Sequence, residues 1–499
     1  MNNQKEEILR RLGCFTRYNS LRSARLKVLL PLAVALLFSA YRLLNQDLVP
    51  FISDEPVFLR SAREQILNGH WVSASPLVGN QGLHYGPTIL WFYGLLYKVF
   101  GSGPAPQFVT MTLLVTAANC CAAFAIGRYF MPRSQVPAAM VALVASSPFH
   151  FLWSRLCWDQ SVEILSGFSV AVLCTKVRIR PRRAAVLGIL MGFAVSSHLM
   201  VTLLATYIGL FLLLSSRRWG RLVNPAIYGI CILAVNIPYL RFLANGPKPS
   251  MPPGTPPTLE SLTTCLLEPL RITTTQDVSY FFDNDWSSFV KSAGILGHLP
   301  DYTSHQWAVL AALLAALSWI ALKGPRRQRR FAALAVTFWV GYAVFLAQRN
   351  LGRHPHYQFP SWWLVLAGAA AVLSMLAQRD RGLYRVGLGV VWGVAILQMG
   401  FVIEWMSYIR ERGGTRGIHY GATLTEQIAA VRSACDRGRS RIAIDSRVTI
   451  FGESIEYLAS SLEECKGKVV TVSGTGPGTV VQLEYVGQSA RLAVRGAGK

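Results

Sequence analysis

The chain has 499 residues, of which 52% are hydrophobic and only 15% are charged. Its apolar residues are gathered into runs that are too long for the core of a soluble domain, which indicates a polytopic membrane protein. The net charge of +24 does not indicate a nucleic-acid-binding protein, because the Lys and Arg residues lie in short loops between the apolar runs instead of on one soluble face.

Eleven windows of roughly 20 apolar residues predict transmembrane helices. The first follows a basic tail at 1–27 and lacks the small-residue cleavage site of a signal peptide, so we interpret it as a retained helix. The predicted spans are 28–44, 107–127, 136–152, 162–176, 184–198, 199–214, 222–243, 307–322, 331–347, 361–376 and 386–406.

A further apolar segment, "PTILWFYGLLYKVFG" at 87–101, is short for a span. About 14 helical residues reach only roughly 21 Å, and the segment is rich in Trp, Tyr and Phe. If it lies in the membrane plane, basic loops such as "KVRIRPRR" and "KGPRRQRR" all fall on one side, as the positive-inside rule requires of cytoplasmic loops. We therefore predict an in-plane amphipathic helix, with a short buried span as the alternative.

This topology divides the chain into a cytoplasmic tail at 1–27, a transmembrane domain at 28–406 and an extracytoplasmic tail at 407–499. The transmembrane domain carries two long extracytoplasmic loops. The first, at 49–106, contains in-plane helices. The second, at 245–304, is Pro-rich and then aromatic and acidic, which fits either a lid with a short helix on the membrane or a plain connector.

The extracytoplasmic tail changes character from the rest of the chain. "TLTEQIAAVRSACDRG" has helical spacing with a Thr-x-x-Glu start, and "RIAIDSRV", "KVVTVSG", "TVVQLEYVG" and "RLAVRG" predict strands. The expected fold is thus a polytopic α-helical membrane protein with about 11 transmembrane helices and a small C-terminal α/β domain. Cys435 and Cys465 lie in this tail, where they form either a disulfide or two unpaired thiols.

Two adjacent acids, Asp54 and Glu55, follow the first span in "FISDEPVFLRSAREQIL". A carboxylate at a membrane face is costly unless it is solvated or paired, so this position suggests a functional site. The alternative is a helix cap, in which Ser53 or Asp54 caps a helix with Glu55 and Pro56 in its first turn. Both roles are compatible, because a cap also fixes the carboxylate in place.

This part of the chain resembles the lipid-dependent GT-C glycosyltransferases, such as protein O-mannosyltransferases and the aminoarabinose transferases that modify lipid A. The resemblance rests on a span, an Asp-Glu pair opening an extracytoplasmic loop, a helix ending in "NGHW" and the in-plane "GPTILWFYGLLYKVFG". It covers 28–200 best, including "SRLCWDQ", and resumes at "RHPHYQFP". Where such proteins commonly carry His-Pro-Pro or Lys-Pro, this chain has "LHYGP", which places His84 or Tyr85 near the usual basic position.

The resemblance implies a polyprenyl-phosphate sugar as donor and an inverting transfer in which a carboxylate takes the acceptor proton. Asp54 is the expected base, and Glu55 orients Asp54 or the acceptor. The charge of the leaving phosphate needs cations nearby. Four candidates lie on the same face: Arg349, Arg353, His354 and His356. The alternative is that these side chains only snorkel to the interface or solvate a helix end.

Other polar residues have weaker assignments. Asp159 and Arg155 in "SRLCWDQ" match a second acid and an arginine that such enzymes often carry, or they form a plain structural ion pair. Asp283 and Asp285 are two acids without a third partner, so they are more simply solvated loop residues than metal ligands. No metal site is therefore predicted, although a divalent metal requirement stays open.

The sequence thus predicts a glycosyltransferase of the bacterial inner membrane that acts on a lipid, glycan or protein acceptor at the extracytoplasmic face. A transporter or flippase of lipid-linked sugars is the first alternative, but it should show related halves or ionisable midplane features, which the sequence does not display. The second alternative is a non-catalytic assembly partner with the same fold. Neither the sugar nor the acceptor follows from the residues.

Overall fold

A computed structural model describes most residues of the chain. These are 29–52, 54–78, 83–101, 104–132, 134–157, 161–175, 180–215, 220–246, 256–274, 278–282, 285–351, 355–416, 420–436, 441–444, 452–465, 471–473, 481–485 and 490–496.

Helices dominate the described residues. In chain order they are α1 (Leu29–Leu44), α2 (Asp54–Leu67), α3 (Thr88–Phe100), α4 (Ala105–Phe130), α5 (Val136–Ser146), α6 (Pro148–Trp153), α7 (Ser161–Thr175), α8 (Pro181–Ser197), α9 (Val201–Ser215), α10 (Gly220–Asn245), α11 (Leu259–Thr273), α12 (Ser279–Phe282), α13 (Trp286–Ala293), α14 (Gln306–Lys323), α15 (Arg326–Gln348), α16 (Trp363–Arg379), α17 (Arg381–Arg412), α18 (Leu424–Asp436) and α19 (Gly452–Ser461).

The apolar helices form a polytopic membrane bundle. Five of the described helices, α4, α10, α14, α15 and α17, have the length and hydropathy needed to cross a membrane, and several shorter apolar helices pack among them. Helix α4 packs against α5 and α7, α8 against α10, and α14 against α15 and α16. The described residues of each predicted span are mostly helical, while the count of eleven spans stays a prediction.

The predicted span at 136–152 is interrupted. Helix α5 ends at Ser146 and α6 begins at Pro148, with Ser147 between them in a non-helical conformation (φ −57°, ψ 124°). The cause is Pro148, because the ring of a proline disfavours helical backbone at the residue before it. The Ser147 hydroxyl donates a hydrogen bond to the carbonyl of Ile272 at 2.8 Å, so the break also joins α6 to the end of α11.

The second long loop is more helical than expected. Helix α11 packs against α14, α15 and α16 instead of lying apart from the bundle, and the indole of Trp339 on α15 donates to the carbonyl of Leu266 at 3.0 Å. The described part of this loop continues through α12, α13 and a 3-10 segment at Gly294–His305. The sequence pattern predicted too little helix in this loop, because a buried acid, Glu268, and an internal proline, Pro269, interrupt the apolar pattern of α11.

The described residues of the tail contain α18, α19 and four short strands. These are β3 (Arg441–Ile444), β4 (Thr471–Ser473), β5 (Val481–Tyr485) and β6 (Leu492–Gly496), in the order β4-β3-β5-β6. Strand β3 pairs in parallel with β4 and β5, and β5 pairs with β6 in antiparallel register. Earlier in the chain, β1 (Leu77–Val78) and β2 (Leu83–His84) form a small hairpin. A disulfide joins Cys435 of α18 to Cys465 after α19, and sequence reasoning missed α19.

Two hydrophobic clusters organise the described residues. The larger is the core of the membrane bundle. The smaller unites the segment before α2 with α3, the start of α4, Cys157 and the tail helices α18 and α19. This second cluster is what positions the Asp-Glu pair.

Candidate functional site

The Asp54–Glu55 pair forms the first turn of α2. The Glu55 side chain is 3% exposed, and its Oε2 accepts a hydrogen bond from the backbone N–H of Ile52 at 2.9 Å. This contact has the three-residue spacing of the glutamate contact in a capping box, and it satisfies the buried amide of Ile52, two residues before α2 begins. Asp54 is half-buried, and its carboxylate makes no hydrogen bond or ion pair to another described residue. Ser53, the other expected cap, lies outside the described residues.

Burial dominates the electrostatics of the pair. It raises the pKa of the Asp54 carboxyl above its ordinary value. For Glu55, burial raises the pKa well above the usual range, the Ile52 hydrogen bond opposes this shift, and the neighbouring Asp54 charge adds to it. Both effects follow from the cost of holding a charge away from water. The geometry therefore separates a tethered inner carboxyl from an outer one that reaches solvent.

The turn after α6 lies close to the pair. Cys157 is fully buried, and the pKa of its thiol is raised well above the ordinary value, first by burial and then by the nearby Glu55 carboxylate. Cys157 thus marks where this turn meets α2. Asp159, the predicted second acid, lies outside the described residues.

Arg155 is a fully buried link between three parts of the chain. Its Nη1 donates to the Asn45 carbonyl at 2.6 Å, its Nη2 lies 3.4 Å from the Met406 sulfur, and it hydrogen-bonds the hydroxyl of Tyr420. Its guanidinium carbon lies 4.4 Å from the centre of the Phe151 ring, a cation–π contact. These contacts tie the end of α1 to α17 and the tail.

A row of aromatic and histidine rings connects two predicted regions. The Tyr85 hydroxyl lies 3.1 Å from Nε2 of His198. The backbone N–H of Met200 donates to Nδ1 of His198 at 3.2 Å, so Nε2 carries the proton and donates to Tyr85. The His198 ring lies 5.7 Å from Tyr357, which contacts His356 at 4.2 Å between ring centres. The "LHYGP" and "RHPHYQ" segments therefore meet through His198.

The predicted phosphate ligands have different surroundings. His84 is half-buried, with Nδ1 2.6 Å from the Ser75 carbonyl and its ring 5.2 Å from that of Phe242. His356 is half-buried with its ring 5.9 Å from Trp153. Arg349 is exposed after the end of α15. Arg353 and His354 lie outside the described residues.

An open cleft of about 580 Å³ lies next to the Phe242 ring that contacts His84. It is lined by Ser73 from the first loop and by the C-terminal end of α10, including the exposed Arg241 and the half-buried Phe242. The Tyr239 hydroxyl donates to the His84 carbonyl at 2.7 Å, which holds the two walls together. Sequence reasoning missed Arg241 because it is one arginine at the end of an apolar helix, and only the fold brings it to the first loop.

The described residues contain no group of three or more His, Cys, Asp or Glu side chains arranged to hold a metal ion. Asp285 has a structural contact instead, since its Oδ2 accepts from the backbone N–H of Arg416 at 2.9 Å. Asp283 lies outside the described residues.

Comparison with known proteins identifies the fold. No protein-family model and no curated protein matches the chain. Among solved structures, the crystal structure of ArnT from Cupriavidus metallidurans bound to undecaprenyl phosphate is similar with a TM-score of 0.50 at 13% identity, covering 94% of this chain and 97% of that one. The Archaeoglobus fulgidus oligosaccharyltransferase in complex with Zn and sulfate is similar with a TM-score of 0.52 at 14% identity, covering 89% of this chain and 62% of that one. The chain thus has a fold like that of GT-C membrane glycosyltransferases, as its sequence pattern predicted.

Proposed function

We propose that this protein is an integral-membrane glycosyltransferase that moves a sugar from a polyprenyl-phosphate carrier to a lipid, glycan or protein acceptor. The observation that carries the proposal is the Asp54–Glu55 pair. The half-buried carboxylate of Asp54 lies at the start of a helix that the hydrogen bond between Glu55 and Ile52 holds in place. The fold shared with a protein crystallised with undecaprenyl phosphate supports the class of donor.

In the proposed reaction Asp54 is the general base. Its carboxylate takes the proton of the acceptor hydroxyl while that oxygen attacks the anomeric carbon. The bond from this carbon to the phosphate oxygen breaks, and its electron pair leaves with the phosphate. Attack opposite the phosphate inverts the anomeric configuration. The raised pKa of Asp54 favours this role, because a more basic carboxylate accepts a proton more readily.

Glu55 acts through Asp54 in this scheme. Its carboxyl is buried and bound to Ile52, so it fixes where α2 begins and where Asp54 points. Arg155 has a comparable role, since it ties the neighbouring turn to Asn45 and Tyr420. Asp159 stays the expected second acid next to that turn.

The departing phosphate carries negative charge that cations stabilise. Arg241 is the best-placed candidate because it is exposed, lines an open cleft and lies beside the His84 contact with Phe242. The remaining candidates come from the first loop and from the segment after α15: His84, Arg349, Arg353 and His356.

We place the active site and the tail on the extracytoplasmic side of a bacterial inner membrane. The basic loops between the spans support this orientation, because positive residues concentrate on the cytoplasmic side. Contacts between α2 and α19 support placing Asp54 and the tail on the same side of the membrane. In one of these contacts, Arg60 Nη1 lies 3.0 Å from Glu453 Oε2.

The test compares membrane lipids and surface glycans by mass spectrometry in cells with the wild-type protein, Asp54→Asn or Glu64→Gln, at matched protein levels. Glu64 is exposed on the same helix and serves as the control. We expect Asp54→Asn alone to lose one sugar mass from a glycan and to accumulate the prenyl-phosphate sugar. An unchanged glycan in Asp54→Asn would reject the proposal. A donor that accumulates only on the cytoplasmic face would instead indicate a flippase.

A further inference from the structure

The backbone that leads into the Asp54–Glu55 pair is held by the C-terminal tail, more than 370 residues later in the chain. We name residues 420–427 the C-terminal clamp. Four backbone carbonyls before α2 accept hydrogen bonds from this clamp: Thr425 Oγ1 donates to Asp47 at 2.9 Å, the Tyr420 hydroxyl to Leu48, the Leu424 backbone N–H to Val49 at 2.8 Å, and Gln427 Nε2 to Phe51 at 3.0 Å.

The intervening residue is also paired. Pro50 forms an isolated antiparallel bridge with Thr423, so the segment before α2 and the clamp run beside each other like two short strands. Apart from the exposed bond between Thr425 and Asp47, the contact is dry, since Val49, Phe51, Tyr420 and Gln427 are all fully buried. Carbonyls buried in this way depend on their protein partners, because no water replaces a lost hydrogen bond.

The clamp ends immediately before the pair. Gln427 binds the carbonyl of Phe51, the next residue Ile52 donates to Glu55, and Asp54 precedes Glu55. The Phe51 ring also packs edge-on against Tyr457 of α19, with ring centres 5.7 Å apart. Displacement of the Phe51 backbone therefore moves the helix start directly.

The tail holds the other side of α2 as well. Arg60 forms ion pairs with Glu453 and Glu456 at 3.0 and 2.9 Å, and Arg63 donates to Ser460 at 2.8 Å. Gln427 lies in the first turn of α18, and Cys435 lies near the end of the same helix. The disulfide between Cys435 and Cys465 links this helix to the turn after α19. The two halves of the tail that grip α2 are thus covalently joined.

We infer that the C-terminal clamp is part of the catalytic centre, with Gln427 and Tyr420 as positioning residues that hold Asp54 in its working geometry. The inference rests on the proposed function, since it gives the tail a role in the reaction assigned to Asp54. It predicts that loss of one clamp contact impairs transfer without unfolding the protein.

The test uses full-length Gln427→Leu, which keeps the side-chain size but removes the donor to Phe51. Tyr420→Phe is the second variant if the first fails to fold; it deletes one hydroxyl, and with it the bonds to the Leu48 carbonyl and to Arg155. Arg432→Gln is the control, since Arg432 lies on the same helix in an exposed ion pair with Glu464, and such pairs contribute little.

Three quantities are measured. Sugar transfer is followed in isolated membranes, with their own donor and acceptor pools, across a range of pH. Thermal unfolding reports the global fold. Alkylation of each free cysteine by N-ethylmaleimide, resolved by peptide mass spectrometry, reports local opening, because Cys157 is buried beside Glu55 while Cys265 is buried elsewhere.

We expect a clamp variant to melt near the wild-type temperature, to transfer sugar at least roughly tenfold more slowly and to expose Cys157 but not Cys265 at least roughly tenfold faster. The acid limb of its pH profile should move to lower pH, because better solvation lowers the pKa of Asp54. Glu55 is the neighbour of Asp54 on its own helix, and Cys157 faces Glu55 from the turn after α6. Both groups are buried, and their raised pKa values are subject to the same change.

Two results would overturn the inference. One is a wild-type rate of transfer in both clamp variants, with or without faster Cys157 alkylation, while Asp54→Asn abolishes transfer; the proposed function would then stand without the clamp. The other is undiminished transfer by Asp54→Asn, which rejects the proposed function and the inference with it.

Discussion

The buried carboxylate of Glu55 accepts a hydrogen bond from the backbone N–H of Ile52 at 2.9 Å. This contact places an ionisable group, whose pKa burial raises well above the usual range, at the point where the first loop becomes α2. It has consequences for stability, for pH dependence and for the neighbouring Asp54.

The first prediction concerns stability and pH in Glu55→Gln. A carboxyl with a raised folded-state pKa stabilises the fold in its protonated form, and that stability is lost as pH rises through the folded-state pKa. Wild-type protein should therefore gain stability relative to Glu55→Gln as pH falls through the raised folded-state pKa toward the unfolded value of about 4.3. Thermal unfolding of both proteins in the same detergent checks this. A difference in melting temperature that does not change with pH would contradict it.

Arg155 and Arg349 form a matched pair for the second prediction. Arg155 is buried and bonds Asn45 at 2.6 Å, whereas Arg349 is exposed. Arg155→Met should destabilise the protein by at least about 2 kcal/mol, because it leaves buried acceptors without a charged donor. Arg349→Gln should stay within about 0.5 kcal/mol of wild type.

Denaturant or thermal unfolding of the two arginine variants measures the difference. Arg155→Lys should not restore stability fully, because an ammonium cannot reproduce the fork of contacts that a guanidinium makes. Equal stability of Arg155→Met and wild type would show that the buried contacts of Arg155 are energetically unimportant.

The third prediction addresses a buried polar cluster on α4, α6 and α7. Glu163 Oε1 lies 2.5 Å from both His150 Nδ1 and Asn119 Nδ2, and all three side chains are buried. Glu163→Ala should destabilise the protein by about 3–5 kcal/mol, because it strands two buried polar partners. Adding His150→Ala should cost less than the sum of the single changes. Additive costs in this double-mutant cycle would mean that the two side chains do not interact.

How far the sequence predicted this molecule depends on the range of the interactions. The apolar runs predicted the helices because membrane insertion depends on local composition, and Thr423-x-x-Glu426 marked the start of α18 through a local cap, with Thr423 Oγ1 accepting from the Glu426 backbone N–H at 3.3 Å. The Asp54–Glu55 pair was found in the same way, by its place just past a span.

The rest depends on contacts between distant residues. Gln427 and Phe51 are 376 positions apart, and no periodicity relates them. Arg241 looks like an ordinary helix-end arginine until the fold brings it beside Ser73. Glu163 and His150 were hidden for a further reason, since single polar residues in apolar runs give no pattern. The break at Ser147 was predictable from Pro148 alone.

The fourth prediction is the topology. Cysteine introduced at exposed position 64 of α2 should react with a membrane-impermeant maleimide added to intact cells, in a protein that retains Cys435 and Cys465 but lacks its free cysteines. Cysteine at exposed position 326, at the start of α15, should react only after permeabilisation. The reverse pattern would place Asp54 on the cytoplasmic side and exclude the proposed orientation.

The most direct test of the central claim is the release of free prenyl phosphate by purified protein supplied with extracted membrane lipids and acceptor-containing membranes. Wild type and the control Glu64→Gln should release it at equal rates, and Asp54→Asn should be slower by at least about 100-fold, as expected on loss of a general base. Equal release by Asp54→Asn and wild type would contradict the assignment of Asp54, and no release by the wild type would contradict the transferase itself.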